Sequence, residues 1–276
     1  MIKFIFITND PMLAEYAEST GVQRIMIDLE RDGKFERQGH LDTLISQHNF
    51  DDIQPVKASL KQAELIVRLN PLSANSRQEV ESALASGADI LMLPMFDNAA
   101  QVAEFVQLVG GRAGVMPLVE TYAAALDITN VAALPGVTEV FIGLNDLHLD
   151  MGLKFMFQTV ASGLVEELVN RVKATGKACG FGGIARVGEG MVPGEMVLAE
   201  HVRLGSSGVI LSRTFHRKSS NLGELESNLN LESEIQKLRN AEQALYELGS
   251  AQLDEIHVAF QKNVAGIVNS KVAREN

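Results

Sequence analysis

Short apolar runs and helical stretches alternate eight times along this chain, and that rhythm restricts the fold more than any other property of the sequence. Strand-like runs at 2–8, 24–30, 65–70, 89–94, 113–120, 139–146, 177–183 and 208–215 are each followed by a helical pattern. The helical patterns cover 12–19, 51–62, 77–86, 99–109, 122–134, 160–175 and 194–204, with a long tail after the last strand. Val102, Phe105, Val106 and Val109 share one face at a period of 3.6. Runs such as Ile90-Leu-Met-Leu93 are apolar throughout, as a strand buried on both sides of a parallel sheet must be. Eight such units close most naturally into a (β/α)8 barrel, a TIM barrel. A doubly wound open sheet is the runner-up, disfavoured because no phosphate-binding glycine turn follows the first strand.

The length agrees. With 276 residues the chain exceeds the roughly 250 of one α/β barrel, and no linker-like stretch divides it. Residues 1–222 are expected to form the barrel, and 223–276 a helical extension of the same domain. In that extension Leu231, Ile235, Leu238, Leu245 and Leu248 stripe one helix, and Leu253, Ile256, Phe260, Val264 and Ile267 another. Such stripes need cover. The chain's own barrel is one candidate; a neighbouring subunit is preferred, because eight helices already clothe the barrel wall.

Composition excludes several classes of function. A formal charge of −11, no Trp and 5% aromatic residues argue against nucleic acid and anionic membranes as partners. No apolar run approaches the roughly 18 residues of a membrane span, and the first residues lack the basic start of a secretory leader. A single cysteine, Cys179, excludes an internal disulfide framework and fits a reducing compartment. A cytoplasmic protein is expected.

Catalytic groups of a barrel lie at the C-terminal ends of its strands. Those ends carry Asp28 and Glu30, Arg68 and Asn70, Pro94, Glu120, Asn145 and Asp146, Gly182 and Gly183, and Ser212 and Arg213. The mouth is therefore acidic, with one arginine well placed on the third strand. Glu120 and Asp146 end consecutive parallel strands and emerge at the same edge, where two carboxylates suit a hard cation such as Mg²⁺. An arginine fork suits a carboxylate or phosphate, so cation and arginine together suggest a chelated anionic substrate such as a 2-keto acid.

Five blocks carry a resemblance: Ile27-Asp-Leu-Glu30, Val67-Arg-Leu-Asn70, Gly87-Ala-Asp-Ile-Leu-Met-Leu-Pro94, Pro117-Leu-Val-Glu-Thr121, and the run from Leu134 to Leu147. In this order they resemble the HpcH/HpaI aldolase and citrate lyase beta-chain family, over residues 24–215. The resemblance implies that Glu120 and Asp146 hold Mg²⁺ or another divalent ion such as Mn²⁺ or Co²⁺. It implies that Arg68 binds the carboxylate and keto oxygen of a pyruvate- or oxaloacetate-type keto acid. It also implies a homo-oligomer, a trimer or hexamer built with exchanged C-terminal helices. The expected reaction is carbon–carbon cleavage of a hydroxy-2-keto acid through a pyruvate enolate, its charge held by the metal as Lewis acid and by Arg68. A Schiff-base lysine is the other chemical route, but no expected strand end carries a lysine.

The match breaks after strand two. Where the pyruvate aldolase branch has a histidine, this chain reads Asp28-Leu-Glu-Arg-Asp-Gly-Lys34. Candidates for the proton-transfer group are then His40, His148 and Glu30. The glycine-rich segment from Gly180 to Gly190 reads either as a tight turn or as an anion loop with Arg186 as clamp, and Asn145 either as a turn residue or as a neighbour of the substrate carboxylate. The alternative activity is a citrate-lyase-like or acyl-CoA lyase reaction of the citramalyl- or malyl-CoA type, with Arg31, Lys34 and Arg37 as a basic trough. A third reading is a non-catalytic barrel that keeps its metal.

Overall fold

The structure, a computed structural model, describes residues 1–31, 48–216 and 219–275. Among them nine strand segments form one sheet with every pairing parallel. They are β1 (Lys3–Ile7), β2 (Arg24–Asp28), β3 (Glu64–Arg68), β4 (Ile90–Leu93), β5 (Gly114–Val119), β6 (Glu139–Ile142), β7 (Ala178–Phe181), β8 (Gly183–Ile184) and β9 (Gly208–Leu211). The order is β7-β6-β5-β4-β3-β2-β1-β9-β8. β7 and β8 are two halves of one strand, parted at Gly182, whose φ of +51° lies in the left-handed region that glycine tolerates. A Cβ at Gly182 would also sit 2.6 Å from Leu144 Cδ1. Because β7 pairs with β6 and β8 with β9, the two ends of the order meet and the sheet closes. Eight barrel strands result, as the alternation predicts.

Helices clothe the outside: α1 (Pro11–Ser19), α2 (Ile53–Ser59), α3 (Ser76–Ala85), α4 (Ala99–Val109), α5 (Tyr122–Leu126), α6 (Ile128–Ala133), α7 (Leu144–Asp150), α8 (Gln158–Ala161), α9 (Leu164–Ala174) and α10 (Gly194–Leu204). Alternate strand residues face opposite sides. Ile5, Met26, Ile66, Ile90, Met92, Met116, Leu118 and Phe141 fill the barrel interior. Their neighbours, such as Phe4, Ile25, Ile27, Leu65, Val67 and Leu91, pack outward against the helices.

Two elements differ from the sequence reading. The helix expected over 122–134 breaks at Asp127, whose carboxylate turns away to accept Ala99 N–H at 2.7 Å and Asn130 Nδ2–H at 2.6 Å. The sixth strand, expected to reach Asp146, stops at Ile142. After Gly143 the chain winds into α7, so Asp146 stands in a first helical turn rather than on a strand end.

The tail forms α11 (Leu222–Asn228), α12 (Leu231–Tyr246) and α13 (Ser250–Glu275). Leu231, Ile235, Leu238 and Leu245 of α12, and Phe260 and Val264 of α13, are buried. They are covered by the chain's own barrel, whereas Leu248, Leu253, Ile256 and Ile267 of the same stripes are only partly buried. Polar ties fix the same packing. Glu242 accepts Ile2 N–H at 2.7 Å, Arg239 lies 3.6 Å over the Phe4 ring, and His257 Nδ1 lies 2.9 Å from Glu200 on α10. Gln261 Nε2 donates to Ala161 O at 2.8 Å. Among the described residues no helix is long and apolar enough to cross a membrane.

Candidate active site

Side-chain alternation decides what reaches the barrel mouth. Met26, Ile66 and Leu118 point into the interior, so Asp28, Arg68 and Glu120, each two residues further on, form the next layer up. A charged layer thus sits directly on an apolar plug.

The β2–β3 register sets Asp28 opposite Arg68. Arg68 donates from Nε to Asp28 Oδ1 at 2.9 Å and from Nη2 to Oδ2 at 2.7 Å, a two-pronged contact. Its Nη1 lies 3.2 Å from Glu30 Oε2. Burial works against the charge of Arg68, but Asp28 and then Glu30 outweigh it and hold the guanidinium protonated.

Glu120 is 2% exposed, and its Oε1 accepts the N–H of Met95 at 3.1 Å. Met95 has φ +50°, a strained conformation for a residue with a side chain, and this strain lies beside the charged layer. Burial and then Glu30 push the Glu120 carboxyl well above the usual carboxylate range; Arg68 opposes them, and Asp146 adds to them. Arg68 touches Glu30, and Glu120 lies within electrostatic range of Glu30, Arg68 and Asp146. Asp146, itself buried, enters it from the first turn of α7. Between β6 and α7, Gly143 leaves the space that a Cβ would take, 2.8 Å from Glu120 Oε2 and 2.9 Å from Glu120 Cβ. Glu120 and Asp146 therefore fit a divalent cation. Their donors are hard oxygens, and their charge is in excess of what Arg68 balances. Among the described residues no three His, Cys, Asp or Glu side chains form a group that could hold a metal ion, so two carboxylates are the most this site would offer one.

A polar scaffold holds this layer. Arg31 N–H donates to Asn70 Oδ1 at 2.9 Å, and Asn70 Nδ2 donates to Glu79 Oε1 at 2.9 Å. Arg31 Nη2 donates to His48 O at 2.8 Å, and Asp28 N–H donates to His48 Nδ1 at 3.1 Å. His216 stacks on Phe6 with ring centroids 4.2 Å apart, and burial, with His48 adding, lowers its pKa to about 4. The sequence reading passed over both His48 and His216. His48 follows a polar stretch without periodicity, and nothing local announces its bond to a residue 20 positions away.

Other expected site residues lie elsewhere. His148 stands two positions after Asp146 on α7, which turns it to the opposite face of the helix. It is buried there, its Nδ1 lies 3.2 Å from Leu144 O, and burial lowers its pKa. Arg186, expected as an anion clamp, gives its guanidinium to Glu189 and lies 3.6 Å from Glu234 of α12. Two carboxylates thus occupy the place where an anion was expected. Arg31 of the expected CoA trough is folded onto His48 O. Asn145 is partly exposed beside Asp146. His40, Lys34 and Arg37 lie outside the described residues. Cys179 is buried, and its thiol is pushed up to about 12 by burial, which leaves it inert at neutral pH.

Residues 4–187 match the family model described as HpcH/HpaI aldolase/citrate lyase. The chain belongs to this family. Family membership places it among aldolases and lyases, and the barrel is shared with solved relatives. An HpcH/HpaI aldolase from Desulfitobacterium hafniense DCB-2 superposes with a TM-score of 0.60 at 16% identity, covering 90% of this chain and 94% of that one. Protein CitE from Mycobacterium tuberculosis, in complex with magnesium and pyruvate, superposes with a TM-score of 0.56 at 18% identity, covering 93% of this chain and 97% of that one. A hydroxypyruvate/pyruvate aldolase from Agrobacterium fabrum is 29% identical over 133 residues, 37% of this chain. The chain spans half the length of that curated relative.

Proposed function

We propose that this HpcH/HpaI family member is a divalent-metal-dependent carbon–carbon lyase, an aldolase that cleaves a hydroxy-2-keto acid to pyruvate or a related keto acid and an aldehyde. What supports the reading is that Arg68 and Glu120 stand above the barrel plug with Asp146, in the first turn of α7, within electrostatic range of Glu120. The binding of magnesium and pyruvate by the CitE relative supports the choice of metal and ligand class. A cation held by Glu120 and Asp146 would supply Lewis-acid polarisation of the keto acid.

The protein's own groups do the rest. Arg68 is kept charged and aimed by Asp28, and offers its remaining N–H groups to the substrate carboxylate and keto oxygen. As the C–C bond breaks, electron density moves to that oxygen, and a fixed guanidinium in a water-poor site stabilises it without reorganising. Glu30, buried and ion-paired to Arg68, is the carboxylate of the described cluster best placed to exchange a proton with the substrate hydroxyl, in preference to His148 on the far face of α7.

The test is release of pyruvate from a panel of hydroxy-2-keto acids, set beside acetyl-CoA release from hydroxyacyl-CoAs. Each assay is run in chelator and after Mg²⁺ or Mn²⁺ is restored. Metal-restored pyruvate release supports the aldolase reading. Acetyl-CoA release alone replaces it with the acyl-CoA lyase, and no turnover of either class leaves a metal-binding barrel without catalysis.

A further inference from the structure

The β1–β2 ladder ends early. Its last rung runs from Thr8 N–H to Met26 O at 3.2 Å, after which β1 leaves the sheet for Asp10, the cap of α1. On its other side β2 stays paired a step longer, Leu29 N–H donating to Arg68 O at 2.9 Å. The N–H of buried Asp28 is thereby left facing the gap above β1, and a buried N–H requires an acceptor. The ring of His48 supplies it through Nδ1. An N–H can only donate, so Nδ1 must carry its lone pair. The ring is then neutral, with its proton on Nε2.

We propose that His48 is a positioning residue of this site, a neutral imidazole that holds Asp28 from its backbone side and couples keto-acid binding to its own protonation. The inference rests on the keto-acid reading above. The linkage is short. His48 Nδ1 fixes Asp28 N–H, both Asp28 oxygens fix Arg68, and Asp28 Oδ1 also accepts Glu30 N–H at 3.2 Å. The guanidinium of Arg68 and the backbone of Glu30 thus both meet the Asp28 carboxylate. A proton on Nδ1 would set donor against donor, open the rung, and release the carboxylate that aims Arg68. His48 itself is held by Arg31, whose Nη2 bonds its carbonyl, while His216 lies within electrostatic range and is neutral above about pH 4. Asp28 faces the ring, with Glu30 and Arg68 behind it, and Asp52 caps the adjoining turn, accepting Asn49 N–H.

Asparagine carries an acceptor where histidine carries Nδ1 and does not titrate, whereas leucine keeps bulk without an acceptor. The experiment measures pyruvate binding by calorimetry at saturating Mg²⁺ from pH 5 to 8, with Mg²⁺ affinity determined separately for each protein. Wild type should lose affinity by about tenfold per pH unit below the His48 titration. His48→Asn should keep the neutral-pH affinity and lose that acid step. His48→Leu should bind pyruvate at least about tenfold more weakly at every pH, with Mg²⁺ affinity unchanged. An acid step in His48→Asn equal to wild type overturns the proposal, as does wild-type affinity in folded His48→Leu. A wild type that binds no pyruvate would sink the keto-acid reading instead. In that case the Arg68 Nε–H resonance decides: it should shift in His48→Leu and stay in place in His48→Asn, and an unchanged signal in both removes the positioning role.

Discussion

Replacing Arg68 by methionine tests how the charged layer is held together. Asp28 and Glu30 both rest on this guanidinium, and Glu120 is coupled to it, while the side chains of Asp28 and Glu30 are 7% and 1% exposed. Methionine keeps the length and removes the charge, leaving buried carboxylates without their counter-ion. Breaking a buried pair on one side typically costs about 3–5 kcal/mol. For a chain of this size that corresponds to a fall in Tm of roughly 6–20 °C, at about 2–4 °C per kcal/mol. The loss should depend on pH. Arg68 is a cause that lowers the Glu120 carboxyl, so its removal raises that group further above its unfolded value. A folded-state pKa above the unfolded one means that the native state binds more protons, so stability falls as pH rises through the folded value. Arg68→Met should therefore be close to wild type near pH 5 and most impaired near pH 8. Thermal and urea unfolding in chelator at the two pH values measure this. A second change, Asp28→Asn, should recover part of the loss. A cost below about 1 kcal/mol, or one equal at both pH values, would refute the view that Arg68 neutralises a buried acidic layer.

Three further outcomes are expected. Glu120→Gln should abolish Mn²⁺ binding in calorimetry yet raise stability in chelator at pH 8, because burial and Glu30 make the wild-type carboxylate costly when ionised; wild-type metal affinity should also fall as pH falls, since a proton competes for the same oxygen. Gly143→Ala places a methyl 2.8 Å from Glu120 Oε2, an overpacking of about 1–3 kcal/mol, and should weaken metal binding while circular dichroism shows the fold intact. Phe260→Ala empties a site that is 0% exposed and should cost about 3–5 kcal/mol, with proteolysis beginning in α13 rather than in the barrel.

The barrel was legible in the sequence because its signals are local and repeated. Apolar runs such as Ile90-Leu-Met-Leu93 report burial on both faces, and the period-two alternation turns Asp28, Arg68 and Glu120 to the inner side, although only the register sets Asp28 opposite Arg68. Asp146 was found, but on the wrong element. The sequence after Gly143 reads equally as strand or as helix start, and only the closing of a turn on Leu144 decides it. The partners of each side chain were harder. Arg186 looked like a mouth residue until Glu234, from a helix that sequence places far away, lay 3.6 Å from it. His48 stayed hidden because its role is to accept one backbone proton across a gap that exists only after β1 has turned aside. The C-terminal stripes announced that they needed cover, but periodicity does not say whose surface provides it.

The bond between Ile2 N–H and Glu242 gives the tail a role in time as well as space. The two residues are 240 positions apart, and β1 between them also waits for β9 before its second edge is paired. During synthesis the first strand would leave the ribosome with one flank open until β9 had emerged, and with the amide of Ile2 unmatched until α12 had emerged. Closure of the ring thus waits for β9, and the capping of the Ile2 amide waits for α12. An exposed strand edge is the feature most prone to pairing with another chain, so a ribosome stalled before β9 should yield aggregated rather than merely shortened protein.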